Sequence, residues 1–268
     1  MSAVYIPDSL LPIVPNKLEV KIGKIIHQTY KSLEQLPEHW KDTPAAWKHY
    51  HPNWTYMFWS DIDCRRLVQE KFPWFLKTYD GYEYNIQRAD AIRPMILHTY
   101  SGIYADCDIQ PTRPFDDLFY QDADIYLIRT PNTNCVTNCL MAGKSGIKFW
   151  IRLLEEMMNR ANNSTVLWPG KHWAVMTSTG PMVLSDIFAQ YEKDFSIKFL
   201  PQSLILPCNI CIEKPCSTVL GYTKLLEGSS WVEFDSLVYN YLLCHWSKLL
   251  ILYAAAFVLC SFYYYLKV

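Results

Sequence analysis

The sequence has almost no net charge: 25 Lys and Arg stand against 26 Asp and Glu, leaving −1 at neutral pH. A nucleic-acid binder needs clustered cations to neutralise phosphates, so that class is excluded. There is no G-x-x-x-x-G-K stretch, which leaves a phosphotransferase or nucleotide hydrolase of the P-loop kind without its phosphate cradle. The N-terminus is not expected to be a signal peptide. The one apolar stretch there, Leu10 to Val14, is broken by Pro12, flanked by Pro7 and Pro15, and preceded by no basic region. Cys208 and Cys211 form a C-x-x-C pair, but no second pair and no H-x-x-x-H follows at zinc-binding spacing. The nine cysteines are therefore expected as core thiols or a loop disulfide. Repeats and low-complexity tracts are also lacking.

What is present is apolar and aromatic. Half of the 268 residues are hydrophobic, with ten Trp and nineteen Tyr. That excludes disorder and suffices for the core of one domain plus a tail. Most of the rings are expected to fill core volume. From Leu249 to Leu266 the chain reads LLILYAAAFVLCSFYYYL, without charge, Pro or Gly, between Lys248 and Lys267. About eighteen such residues is the lower limit for a helix crossing a bilayer, and the Tyr263–Tyr265 cluster suits an interfacial belt. The expected organisation is an irregular lead-in over 1–20, a folded domain over 21–246 and a C-terminal transmembrane helix over 247–268. Sequons begin at Asn53, Asn162 and Asn163 and matter only if the domain is lumenal.

Strand and helix signals alternate through the domain. Residues 21–30 and 54–59 read as strands, and Ser60 or Asp61 caps a helix running to Phe72. Residues 84–100 read as a helix with Pro94 inside and Gly102 at its end. Residues 103–105 and 124–128 are short strands, and 146–161 and 181–191 are helices by periodicity. The stretch from 192 to about 245 reads as mixed and loop-rich. Such alternation predicts an α/β domain with a mostly parallel sheet, its ligand crevice at the carboxyl ends of the strands. His27-Gln28 and Asp106-Cys107-Asp108 fall at such ends.

The chemistry concentrates in three places. In GIYADCDIQP, Asp106 and Asp108 follow a buried strand and can hold a hard cation through oxygen ligands. Such a cation neutralises a departing diphosphate. The bland alternative is a surface loop, where D-x-D is common. In QRADAIRP, Asp90 and Arg93 share one helix face at i, i+3. They read as a sugar-gripping pair or as an exposed ion pair worth at most ~1 kcal/mol. In Gly228-Ser229-Ser230-Trp231, small hydroxyls beside an indole read as a phosphate cover or a turn with a buried Trp.

The order KIIHQTYKS, HPNWTYMFWSD, NIQRADAIRPMILHTYSGIYADCDIQP, STGP and GSSW, spanning Lys21 to Trp231, resembles glycosyltransferase family 32. The resemblance implies a GT-A fold, one Rossmann-like α/β domain. It also implies Mn²⁺ or Mg²⁺ at the D-x-D, and transfer with retention of configuration. Carried over by position, Asp106 would touch the donor sugar or ribose and Asp108 would ligate the metal. Asp90 and Arg93 would grip the transferred sugar, His27 and Gln28 would lie near the nucleotide, and Ser230 and Trp231 would touch the diphosphate. Gly180 and Pro181 would line the acceptor side. The implied donor is GDP-mannose, with a UDP-sugar second. The implied acceptor is a lipid, such as an inositol phosphorylceramide-type sphingolipid, or a glycan. A membrane of the Golgi or ER and a regulatory subunit complete the implied partners. Two departures stand out. Ser101-Gly102 replaces the family's Gly-Gly, and Lys224, Leu225 and Leu226 stand where relatives place a His. The missing His keeps open a rival reading, a catalytically silent sugar-nucleotide-binding or scaffold subunit. No nucleophile is evident: Glu155, Glu156 and Asp186 lie in expected helices without motif context, which favours front-face departure over double displacement.

Overall fold

The computed structural model describes residues 20–131, 135–163, 170–206, 208, 211, 216–218, 220–228 and 233–267. In chain order the elements are β1 (Ile25–Thr29), α1 (Thr43–Tyr50), β2 (Thr55–Trp59), α2 (Asp61–Lys71), α3 (Leu76–Gly81), α4 (Asn85–Tyr100), β3 (Gly102–Ala105), β4 (Ile109–Pro111) and β5 (Ile125–Arg129). There follow β6 (Val136–Gly143), α5 (Lys148–Asn162), α6 (Lys171–Ser178), α7 (Pro181–Tyr191), β7 (Ile197–Phe199), α8 (Gln202–Ile205), β8 (Cys216–Ser217), β9 (Thr223–Leu225) and α9 (Phe234–Lys267).

The main sheet has the order β2-β1-β3-β6-β5-β7. β1 pairs parallel with β2 and β3, and β5 pairs parallel with β7. β6 is antiparallel to both its neighbours. The sheet is thus α/β and mostly parallel, as expected, with one reversed strand that the sequence reading missed. β4, β9 and β8 form a second, three-stranded antiparallel sheet.

Strand periodicity divides the core into two layers. Tyr104, Ile125, Leu127 and Met141 face the layer built with α2, α4, α5 and α7. Ile103, Ala105, Tyr126, Ile128 and Leu140 face the opposite layer, around Trp47, Phe115 and Phe119. α2 begins where expected. Ser60 accepts from the Asp63 amide and Asp63 reaches back to the Ser60 amide, a full capping box. α4 runs without a break through Pro94, whose missing N–H leaves the Asp90 carbonyl without its helical partner.

The turn from α4 into β3 is sharp. Gly102 has φ +105, and a Cβ there would lie 2.3 Å from the Ile25 carbonyl oxygen. Ser101, in the position of the family's other glycine, takes φ 63. Its hydroxyl accepts from the Gly23 amide at 2.9 Å and donates to the Gly143 carbonyl at 2.8 Å. Two hydrogen bonds to neighbouring segments offset the backbone strain a non-glycine residue carries there.

The expectation of a zinc-free cysteine set is refined. Cys208 pairs with Cys216, and Cys211 with Cys244, so two disulfides tie the 208–216 segment to itself and to α9. α9 begins at Phe234 and passes without interruption through the expected boundary at 246/247. Most side chains of the charge-free run lie outside the described residues. Among the described residues no helix is long and apolar enough to cross a membrane, so the structure does not establish the transmembrane helix.

Candidate active site

The α4–β3 hairpin and its neighbours enclose a cavity of about 800 Å³ that Asp90, Arg93, Asp106, Asp108, Asn138 and Pro181 help line. That volume suits a ligand of nucleotide-sugar size. Asp106 leaves the end of β3 and opens a tight turn: its amide donates to the Cys139 carbonyl, and its carbonyl accepts from the Ile109 amide at 3.0 Å. Within the turn the Cys107 thiol meets the Thr29 carbonyl and packs with Trp40 and Leu226. The two carboxylates are left toward the cavity.

Arg93 lies between Asp90 and Asp106. Its Nη1 is 2.8 Å from Asp90 Oδ1 and its Nη2 is 3.0 Å from Asp106 Oδ1, while the guanidinium sits 5.2 Å over the Tyr104 ring. The Tyr104 hydroxyl also donates to Asp106 Oδ1, at 2.8 Å. The exposed ion pair that i, i+3 spacing allowed is excluded, since Asp90 and Arg93 are 4% and 5% exposed. A buried charge needs this kind of saturation. Asn138 donates to Asp90 Oδ1 at 3.0 Å and Thr179 to Oδ2 at 2.9 Å. Burial still wins against Arg93 and these donors, and the Asp90 carboxyl is pushed up to about 6.

His27 and Gln28 are corrected. Both are inside β1 and fully buried, and neither lines the cavity. His27 Nδ1 accepts from the Trp59 indole at 3.2 Å, which leaves Nε2 protonated to donate to the Ser101 carbonyl at 2.8 Å. Desolvation lowers its pKa to about 4, so it is a neutral strut under the α4–β3 turn. Gln28 donates to the Ala105 and Asp106 carbonyls at 3.4 and 3.2 Å and accepts from Tyr56. It braces the D-x-D turn from behind.

Asp108 meets the late loop. The Leu226 amide donates to its carbonyl at 2.9 Å. A Cβ on Gly228 would lie 1.9 Å from its Oδ2, so only glycine fits there. The Trp40 indole fixes this loop by donating to the Glu227 carbonyl at 2.7 Å. Lys224 and Leu225 belong to β9 and Leu226 to the small core beside Cys107, so these residues are structural. Ser230 and Trp231 lie outside the described residues. Gly180 caps α7 and is buried, whereas Pro181 reaches the cavity. Glu155, Glu156 and Asp186 pair with Arg152 and Arg160 and do not line the cavity. Asn138 and Thr179 are the site residues the sequence reading missed. Thr179 immediately precedes the flagged Gly180-Pro181, the one signal that pointed to it.

The donor set fits a hard divalent cation. Among the described residues no three His, Cys, Asp or Glu side chains converge, and the D-x-D turn offers the carboxylates of Asp106 and Asp108. Mg²⁺ and Mn²⁺ suit such a site, completing their octahedron with water and substrate phosphates.

Residues 37–133 match the glycosyltransferase sugar-binding region containing the DXD motif. Inositol phosphoceramide mannosyltransferase 3 of Schizosaccharomyces pombe is 32% identical over 226 residues, 84% of this chain and 60% of that protein. Mannosyl phosphorylinositol ceramide synthase SUR1 of Saccharomyces cerevisiae is 36% identical over 224 residues, 84% of this chain and 55% of that protein. The chain therefore spans a little over half the length of these relatives. Among solved structures, the PaToxG glycosyltransferase superposes with a TM-score of 0.51 at 16% identity, covering 63% of this chain and 69% of that one, a likeness of fold. On these similarities the chain belongs to the DXD-containing glycosyltransferases of family 32.

Proposed function

We propose that this chain transfers mannose, with retention, from GDP-mannose to the head group of an inositol phosphoceramide-type sphingolipid. The observation that carries the proposal is the Asp90–Arg93–Asp106 line of charges, the first two buried and the third half-buried, beside Asp108 in one cavity of suitable size. The two relatives above act on mannose and phosphoinositol ceramide by their names, which supports the sugar and the acceptor class.

Asp108, with Asp106 beside it, would hold Mg²⁺ or Mn²⁺. The chemistry such an ion supplies is neutralisation of the charge on the departing diphosphate. Asp90 and Arg93 orient the transferred sugar: the carboxylate accepts from its hydroxyls and the guanidinium fixes the carboxylate. The acceptor hydroxyl oxygen forms the new bond to the anomeric carbon on the face from which the diphosphate oxygen leaves. The hydroxyl proton passes to that leaving oxygen. No carboxylate outside this ion-pair line and Asp108 is needed for the step.

The same reading assigns residues 21–246 to catalysis and 247–268 to a membrane helix, with the domain in the Golgi or ER lumen. Two disulfides favour an oxidising compartment, and Asn53 is exposed for glycan addition. The test is a donor panel. Purified protein, Mn²⁺ or Mg²⁺ and inositol phosphoceramide are incubated with GDP-mannose and a range of UDP-sugars. Mannosylated lipid from GDP-mannose is expected; turnover of UDP-sugars alone would overturn the donor, and no turnover of any donor would overturn transfer.

A further inference from the structure

α6 is an eight-residue helix with a site contact at one end and α9 at the other. Its N-cap, Gly170, has no side chain to satisfy the free amides of the first turn. Asp235, in the first turn of α9, supplies the acceptor: its Oδ2 lies 2.7 Å from the His172 amide. Gly170 makes room for it, since a Cβ there would stand 2.5 Å from the same oxygen. Three further contacts join the starts of the two helices. Lys171 Nζ meets Glu233 at 2.7 Å, the His172 ring meets the Ser236 hydroxyl at 3.1 Å, and the Tyr239 ring lies 4.7 Å from the His172 ring. Farther along, the Cys211–Cys244 disulfide holds α9 a second time.

The other end of α6 enters the site. Val175 and Met176 line the cavity. The Ser178 hydroxyl accepts from Gln87 of α4 at 2.8 Å, and Thr179, the C-cap, donates to Asp90 Oδ2. Lys171 lines the cavity as well, so the rim and the floor of this wall belong to one short rigid element. α6 and its cap join Asp235 to the Thr179–Asp90 hydrogen bond.

We infer that Asp235 is a positioning residue for transfer: by capping α6 across the chain it sets the Thr179–Asp90 contact, so the seating of α9 determines how the donor sugar is held. The inference rests on the reading of Asp90 as the sugar-gripping carboxylate. It makes the C-terminal helix a working part of the site in addition to any role as an anchor.

A double-mutant cycle on the full chain tests it, with Asp235→Ala, Thr179→Val and the pair. Asp235 and Thr179 are about ten ångströms apart along α6 at ~1.5 Å per residue, a separation at which independent effects add. Asp235→Ala is expected to lower kcat about fivefold, the size of a lost helix cap expressed as a ratio, with KM for the lipid acceptor unchanged. In the Thr179→Val background the same change is expected to cost less than about twofold. Asp235→Asn, which keeps a cap acceptor, is expected to restore most of kcat, and it serves if the alanine variant fails to fold. Additive losses, or a loss confined to melting temperature, would overturn the inference. Failure of the wild type to transfer any sugar would instead overturn the function on which it rests, so the two failures are distinguishable.

Discussion

Replacing Asp90 by Asn tests whether the site holds a buried carboxylate against its desolvation cost. Burial pushes the native carboxyl up to about 6 from the 3.8 of an ordinary aspartate. A raised pKa means that the native state binds the proton more tightly than the unfolded chain, so Asp90 lowers stability as pH rises from the unfolded value through the folded one. That cost grows by roughly 1 kcal/mol between pH 5 and pH 7.5. Asn is nearly isosteric and does not titrate. Stability of Asp90→Asn relative to wild type should therefore rise by roughly 1 kcal/mol between pH 5 and pH 7.5, whatever constant offset follows from losing the Arg93 ion pair. His27 works in the other direction. Its pKa falls to about 4, so its contribution is present above 6.5 and lost as pH falls toward 4. It is common to both proteins and cancels in the difference. Urea unfolding of the two proteins at both pH values reads the effect, and sugar transfer by the variant should fall at least a hundredfold, about 2.7 kcal/mol of transition-state binding. Parallel pH profiles would refute the burial argument, and near-normal transfer would refute the sugar contact.

Three other outcomes follow from single contacts. Gly228→Ala places a methyl against the Asp108 carboxylate and should raise the Mn²⁺ concentration for half-maximal turnover at least tenfold; an unchanged metal titration would show that Asp108 does not ligate. Ser101→Ala keeps the strained backbone and removes two hydrogen bonds, so unfolding free energy should fall by about 1–3 kcal/mol, while Ser101→Gly should lose less. Trp40→Phe keeps the ring and removes the donor to Glu227; kcat should fall severalfold with melting temperature shifted by only a few degrees, from a hydrogen bond of about 1 kcal/mol. A large drop in melting temperature without loss of kcat would make Trp40 a core residue only.

The elements legible in the sequence are those whose burial is one-sided. The capped α2, the periodic α5 and the Pro-started α7 all show a polar face, and the two strands flanking α1 carry β-branched or aromatic residues. β6 escaped because it is covered on both faces, which removes the alternation that marks a strand, and because Asn138 in its middle reads as a loop residue. α9 upstream of the apolar run escaped because its hydrophobic residues surround the helix instead of forming a stripe. Within the site, Asp90, Arg93 and Asp106 were legible through their motif spacing. Asn138 and Thr179 were not, since they join Asp90 across 48 and 89 residues of chain, a proximity that only the folded sheet creates. His27 and Gln28 were legible as special but not in role. Polar residues at a strand's carboxyl end suggest a ligand, while the fold turns both inward against β3.

The most direct test of the whole account is turnover by Asp108→Ala with GDP-mannose across a Mn²⁺ titration, on protein whose melting temperature matches wild type. The account predicts transfer reduced by at least a thousandfold at every metal concentration, about 4 kcal/mol, with folding intact. Wild-type turnover in that variant, or equal turnover of the native protein with all divalent metal chelated, would contradict it.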